Sequence, residues 1–405
     1  MTAAASRELS VPPSSVVTMK ILHTSDWHLG RSFHGVGMLD AQREWLDALV
    51  AHVEAEHVAA VLVAGDVYDR ALPAVDVVEL LDETLVRLTA AGAQVIITSG
   101  NHDSAVRLGF GSRLLERGGV HLRTRVDQIG DPVLLPLGDG AQLAVYGLPY
   151  LEPRLVAEAL GASAPGHASV TAAALGKARA DLGVRKAAGT VHSIVMAHTF
   201  AGGGVSSESE RALSVGGLDV VPLSVFEGFD YAALGHLHGR QELTPSIRYS
   251  GSPLAYSFSE WRQAKGAWML DVGPDGIASV ETVDWASRHR LAVLRGPLED
   301  LLSDVAHTAA ESAYCHVTLT DAERPRAAME RLRARFPLTV ALAFEPEGRD
   351  GTAAATYSER LAAARSDVDL CCGFLEHVRG RGADATEREA LEHALESVRL
   401  AEVAS

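Results

Sequence analysis

The stretch Val58-Ala59-Ala60-Val61-Leu62-Val63-Ala64-Gly65-Asp66 is a β-rich apolar run that stops on a glycine and a carboxylate. Unbroken apolarity over so few residues marks a strand buried on both faces, and a glycine at its end permits a tight turn that projects the next side chain beyond the sheet. The same grammar recurs on either side. The runs 19–24 and 93–99 end on Ser25-Asp26-Trp27-His28 and Gly100-Asn101-His102-Asp103, and the segments 40–56 and 75–91 between strands carry helical apolar spacing. Such alternation predicts a βαβ sheet covered by helices, with a rim of functional loops at the strand C-termini.

Further strands at 142–146, 192–197, 231–234, 247–250 and 267–272, with one long helix at 170–182, predict a second, mixed sheet packed face to face on the first. Two of them lead into His198 and Gly235-His236-Leu237-His238-Gly239. The expected fold class is α/β (α+β), a four-layer αββα sandwich over 19–287. Strands at 291–295, 314–320 and 338–344, separated by helices at 298–310 and 324–336, predict a small βαβαβ capping domain over 288–347. Residues 348–405 read as a linker and a helical segment, in which Cys371, Phe374, Leu375 and Val378 fall at i, i+3, i+4 and i+7. Asp384 and Glu387 fit a capping box that opens the final helix. Residues 1–18, rich in Ala, Ser and Pro, read as a disordered extension, with Met19 as the natural start.

Of the 405 residues 47% are apolar and 22% charged, an ordinary soluble composition, and no apolar run approaches the roughly 20 residues of a membrane span. The N-terminus lacks the basic start and apolar core of a secretory signal, so a cytoplasmic location is expected. Cys315, Cys371 and Cys372 form no C-x-x-C pair, which suits a reducing compartment. The formal charge of -16 argues against a broad basic surface that grips nucleic acid. A DNA substrate would need positive charge from metals, local arginines or a partner.

Two divalent ions held together can clamp the attacking and leaving oxygens of a phosphoryl displacement, and they need one bridging carboxylate plus terminal ligands. Asp66 suits the bridge. Asp26 and His28, two apart, leave an extended segment on one face and can chelate one ion, and His236 and His238 repeat that spacing. If Asn101 binds a metal, His102 is placed at the substrate side as the catalytic imidazole, with Asp103 to orient it. A mixed nitrogen and oxygen set suits manganese, iron or zinc better than magnesium or calcium, and manganese is the first choice. Singly, each residue has a bland reading: Asp66 as a turn residue, His198 as a strand-end histidine, the His236–His238 pair as a solvated turn. Their conjunction in order, each after a strand, points to a site. His23, His34, His52, His121 and His289 read as structural.

Together D-x-H, G-D-x-x-D, G-N-H-D, a later His and G-H-x-H resemble the signature of the calcineurin-like metallophosphoesterases. Within that superfamily the chain is similar to the SbcD family, nuclease subunits of bacterial SbcC–SbcD complexes, through the sequence from Met19 to Gly30, Ser207-Glu208-Ser209-Glu210-Arg211 with Gly216-Gly217, and Tyr249-Ser250-Gly251-Ser252-Pro253-Leu254. The resemblance implies that Asp26, His28 and His238 hold one metal, that Asn101, His198 and His236 hold the other, that Asp66 bridges, and that His102 is catalytic. It implies manganese-dependent cleavage of DNA, exonucleolytic on duplex ends and endonucleolytic on hairpins or single strands. It also implies an SbcC-like SMC-type ATPase partner, docked on the helical tail through Phe374, Leu375 and Val378, and leaves open whether nuclease subunits pair as a homodimer. Arg31, Arg70 and Arg107 sit near motif loops where they could meet DNA phosphates. The alternatives are a stand-alone phosphatase or phosphodiesterase and a non-catalytic scaffold for the ATPase. Gly65-Asp66-Val67-Tyr68-Asp69-Arg70 also resembles protein Ser/Thr phosphatases, but Ala71 and Asp103 depart from their pattern.

Overall fold

Alternation along the strand Ala60–Ala64 sets the layers. Val61 and Val63 share a core with Trp45, Leu49, Leu80 and Leu88 of the helices Leu39–Glu56 and Val75–Ala90, whereas Ala60, Leu62 and Ala64 share another with Leu143, Ile194, Met196 and Ala233 of a second sheet. Successive side chains leave opposite faces of a strand, so both sets are buried. In the computed structural model, which describes residues 18–210, 220–287, 290–346, 366–379 and 381–403, the first sheet runs in spatial order Gly276–Asp284, Gly266–Gly273, Met19–Thr24, Ala60–Ala64, Gln94–Thr98 and Val120–Arg123. The second runs Gln241–Thr244, Ile247–Tyr249, Tyr231–Gly235, Val191–His198, Ala141–Gly147 and Val133–Gly138. On its outer face lies the helix His167–Ala188, whose Val170, Ala174, Leu175, Ala178 and Leu182 pack with Tyr146, Val195 and Leu234. The four αββα layers are therefore present.

The sites of chemistry follow from strand direction. Met19–Thr24, Ala60–Ala64 and Gln94–Thr98 are mutually parallel, as are Val191–His198 and Tyr231–Gly235, so each set delivers its motif loops to one edge of its sheet.

Several expectations are corrected. The strand at 267–272 does not join the second sheet: Gly266–Gly273 pairs antiparallel with Met19–Thr24 and extends the first, Leu22 opposite Met269. Periodicity reveals a strand but not the edge it joins. Val133–Gly138, a strand not expected from the sequence, contains Pro136. The proline is tolerated because this strand lies at the sheet edge. The strands Val120–Arg123, Gln241–Thr244 and Gly276–Asp284 were also not expected. In the small sheet, Leu291–Gly296, Tyr314–Leu319 and Thr339–Phe344 appear in βαβαβ order, but the helix expected at 298–310 stops at Ser303. There Asp304 is extended and its side chain accepts from Ala306 N, starting a separate 3-10 turn. The helix expected at 324–336 begins only at Ala328. Pro325 disfavours a helical Arg324.

By contact the chain divides into Met1–Leu319 with Pro325–Ala343, and Thr320–Arg324 with Phe344–Ser405. In the second unit the helices Asp367–Arg379 and Ala385–Val403 are joined across the capping box, where Asp384 N donates to Glu387 Oε2 at 3.1 Å and Glu387 N to Asp384 Oδ1 at 2.9 Å. Phe374 is 52% exposed and Leu375 half-buried, while the side chain of Val378 lies outside the described residues. Residues 1–17 of the extension expected at 1–18, the linker at 348–356 and Gly216-Gly217 also lie outside them. No helix among the described residues is long and apolar enough to cross a membrane.

Polar side chains cross the layer between the sheets, among them Trp268, whose Nε1–H donates to the Tyr249 carbonyl at 2.9 Å, and His23. His23, fully buried, accepts from the Tyr231 hydroxyl at Nδ1 (3.1 Å) and donates from Nε2 to the Leu234 carbonyl (3.2 Å). Burial pushes its pKa down to about 3, so the folded protein binds the proton only below that value while the unfolded chain binds it below about 6.5. His23 therefore contributes stability that is whole above pH 6.5 and is lost as pH falls toward 3. Urea unfolding between pH 7 and pH 4 should show a shallower loss of stability in His23→Gln than in the wild-type chain.

Candidate metal centre

The loops after the first two parallel strands continue to pair beyond the sheet. Asp26 N donates to Gly65 O, His28 N to Asp66 O, Leu29 N to Val67 O and Asp69 N to Leu29 O, all at 2.9 to 3.1 Å. This register sets the D-x-H segment beside Asp66. It requires unusual backbone: Asp26 (φ 53), His28 (φ 46), Asp66 (φ 48) and His236 (φ 110) all lie at positive φ. Such conformations cost about 1 to 3 kcal/mol each in non-glycine residues and concentrate at functional sites.

Two glycines let the sheets meet there. A Cβ on Gly65 (φ +84) would stand 2.2 Å from His198 Nδ1, and one on Gly235 would stand 1.8 Å from the Ala64 carbonyl oxygen. Glycine at both positions brings the second sheet's rim against Asp66.

The structure gathers the expected residues. Asp26, His28 and His238 place ligand atoms within 4.8 Å of one another, as do Asp26, Asp66 and His198. His28 Nε2 and His238 Nε2 face each other at 3.0 Å. Asp66 Oδ2 stands 3.6 Å from His28 Nε2 and 3.3 Å from His198 Nε2, and Asn101 Oδ1 is 2.9 Å from that same His198 nitrogen. The His236 ring lies 5.4 Å from that of His198, and its backbone N–H donates to both oxygens of Asp26. His198 Nδ1 donates to the Ala64 carbonyl at 3.0 Å, which leaves Nε2 as the nitrogen that would bind an ion beside Asp66. His28 Nδ1 is buried without a hydrogen bond. Buried imidazoles, carboxylates and one amide converging in this way fit a pair of divalent transition ions.

The electrostatics agree. Burial pushes Asp26 up to about 6. Burial also works against ionised Asp66, but His198, His28 and His102 outweigh it and hold that carboxyl well below its ordinary range. Conversely, burial disfavours a charged His198, yet Asp66 and Asp26 push it up to about 9. Burial holds His28 and His236 well below the imidazole range, so their nitrogens stay available as ligands.

Asp103 makes contacts that the sequence did not indicate. Its carboxylate accepts from Gly100 N (2.9 Å), Val67 N (3.1 Å) and Tyr68 N (2.9 Å), tying two motif loops together, and burial with the Asp66 charge pushes it up to about 7. His102 instead donates from Nδ1 to the Asp69 carbonyl at 2.8 Å. Asp69, the last residue of G-D-x-x-D, was given no role; its Oδ1 lies 3.6 Å from His28 Nδ1, 3.9 Å from His102 Nδ1 and 3.5 Å from Arg31. Gln42 was also missed. Buried within an apolar helix face, it donates to the His28 carbonyl and accepts from Gly30 N. Arg31 donates to the Ser209 carbonyl and lies over the Tyr256 ring. Arg107 donates to the Ala71 carbonyl, and Arg70, its side chain 78% exposed, lies 3.6 Å from Asp69.

A family model described as calcineurin-like phosphoesterase matches residues 19–240, and one described as type 5 capsule protein repressor C-terminal domain matches 287–379. The chain is 32% identical over 326 residues to the D component of the nuclease SbcCD from Staphylococcus epidermidis, a match that covers 80% of this chain and 85% of that protein. The chain belongs to the SbcD family of calcineurin-like phosphoesterases. Membership makes it a metal-dependent phosphodiesterase. Among solved structures, a dimetal phosphatase from Danio rerio matches with 14% identity and a TM-score of 0.40, over 66% of this chain and 99% of that one. The protein TT1561 of Thermus thermophilus matches with 13% identity and a TM-score of 0.37, over 66% and 99%.

Removing the Asp103 carboxylate leaves three backbone N–H groups without their acceptor. Asp103→Ala should lower the unfolding free energy by about 2 to 4 kcal/mol in urea titration, and His102→Ala, which leaves those bonds intact, by less.

Proposed function

We propose that this chain is the manganese-dependent DNA nuclease subunit of an SbcC–SbcD-type end-processing complex, acting in the cytoplasm as an exonuclease on duplex ends and an endonuclease on hairpins or single strands. The observation that carries the reading is the place of Asp66 Oδ2 between His28 Nε2 at 3.6 Å and His198 Nε2 at 3.3 Å, where one carboxylate can serve two ions. Asp26, His28 and His238 would hold one ion and Asn101, His198 and His236 the other. When bound, the ions polarise the phosphodiester and supply a nucleophile from water at neutral pH. The chain's own groups do the rest. His102, with Nδ1 committed to the Asp69 carbonyl, presents Nε2 as its proton-transfer atom to the leaving oxygen. Arg31 and Arg70 lie 3.5 and 3.6 Å from Asp69, and Arg107 donates to the Ala71 carbonyl; in this reading they would meet phosphates beside the scissile bond.

The modules at 288–347 and 348–405 fit the same reading, the first as a capping domain that positions DNA and the second as the helical segment that docks on the ATPase. A stand-alone phosphatase would need neither.

With Mn²⁺ and the ATPase partner, the chain should degrade a hairpin-ended duplex far faster than a generic phosphomonoester. His102→Ala should retain its metals and lose cleavage by at least roughly a hundredfold. Undiminished cleavage by that variant would sink the catalytic assignment. Truncation after Gly348 should abolish co-purification with the ATPase while metal binding persists; a truncated chain that still co-purifies would refute docking through the tail.

A further inference from the structure

His238 is gripped by residues that no metal-binding motif contains. Its Nδ1–H donates to Ser209 Oγ at 2.7 Å and lies 3.4 Å from Glu260 Oε1, and the Ser209 hydroxyl donates in turn to that same Glu260 oxygen. Its backbone N–H donates to Glu210 Oε1 at 2.7 Å, and its carbonyl accepts from Lys265 Nζ at 2.8 Å. Glu260 is 1% exposed, and its second oxygen accepts from Lys265 and from Tyr256 N. Ser207 closes the cluster, donating to Glu210 Oε2 at 2.8 Å and lying 3.4 Å from Glu260 Oε1.

The position of the imidazole proton decides what the far side of the ring can do. With Nδ1–H engaged by Ser209, the Nε2 lone pair is directed toward His28 Nε2 and Asp26. A buried lysine–glutamate pair contributes little net stability compared with apolar side chains of the same volume, so its place against His238 calls for another reason. Glu260 Oε2 is paired with the buried Lys265 ammonium, which compensates the charge of the carboxylate where it stands. An ionised acceptor at the end of the serine relay holds the ring in one tautomer and one plane.

We infer that Glu260, backed by Lys265 and relayed through Ser209, is the positioning carboxylate of His238, and that the segment 207–210 is a clip that completes the first metal site by holding His238 at both ring and backbone. The inference rests on the reading of His238 as a metal ligand. Its role is positioning, because none of these groups reaches the reacting atoms.

The test is Mn²⁺ titration of the full chain by calorimetry, with the electron paramagnetic resonance spectrum of the bound ions as a second readout. Glu260→Gln combined with Lys265→Met removes the charges without changing volume greatly. This double variant should bind one ion with wild-type affinity and the other roughly 10- to 100-fold more weakly, with altered spin coupling. Ser209→Ala leaves the ion pair in place and should weaken the same ion by a smaller factor. Unchanged affinity for both ions in a folded double variant overturns the proposal; should that variant fail to fold, unchanged affinity in Ser209→Ala overturns it. A wild-type chain that binds both ions yet cleaves no DNA would refute the nuclease reading alone, and the affinity comparison would still decide this one.

Discussion

Two carboxylates, Asp26 and Asp66, lie buried where two sheets meet, and among the described residues the basic groups within 4 Å of them are imidazoles. Much of the rim is arranged around that fact. Burying an ionised carboxylate costs several kcal/mol unless it is paired and hydrogen-bonded. Here Asp26 receives Ser25 Oγ and the N–H of His236, and Asp66 receives the N–H of His102. Four residues at positive φ add strain at the same place. The protein thus holds an unfavourable concentration of charge and strained backbone in advance, and cation binding offsets it. Metal binding at such a site is coupled to the stability of the loops that form it.

The layers were legible because period-2 and period-3.6 patterns are written directly in the apolar residues, as Val61 and Val63 against Leu62 show. The candidate ligands were legible because each follows a strand end in chain order. What escaped the sequence is what depends on contacts between distant segments. Glu260 stands 22 residues beyond His238 in a 3-10 turn, and nothing local distinguishes it from a surface glutamate until the structure buries it against Lys265. Gln42 is similarly silent within its helix. The contacts of Asp103 were not legible because they lie with a distant segment: its carboxylate reaches back to the Val67 and Tyr68 N–H groups. Asp69 had a usable signal, the final position of G-D-x-x-D.

The net charge of -16 sits less awkwardly with a nucleic-acid substrate once its location is considered. Asp26, Asp66, Asp69, Glu210 and Glu260 all belong to the site or to the cluster that braces it. In the nuclease reading, a phosphodiester that approaches this rim without cations meets like charge, and with two divalent ions it meets four compensating charges. In that reading ion loading precedes DNA binding on electrostatic grounds; Arg31 is held between Asp69 and the Ser209 carbonyl.

A site whose ligands come from two sheets is only as precise as the register between those sheets. Apolar packing of Leu62, Ile194 and Met196 is weakly directional and leaves small slides inexpensive. His23 adds direction, as Trp268 Nε1 does through the Tyr249 carbonyl, because its two ring nitrogens bond Tyr231 and Leu234 on the second sheet; three residues after it comes Asp26, and two after Leu234 comes His236. A slide of one sheet past the other breaks both bonds inside the buried layer, leaving buried polar atoms unsatisfied. One neutral histidine, with no part in holding metal, thereby transmits the order of the core to the spacing of Asp26 and His236.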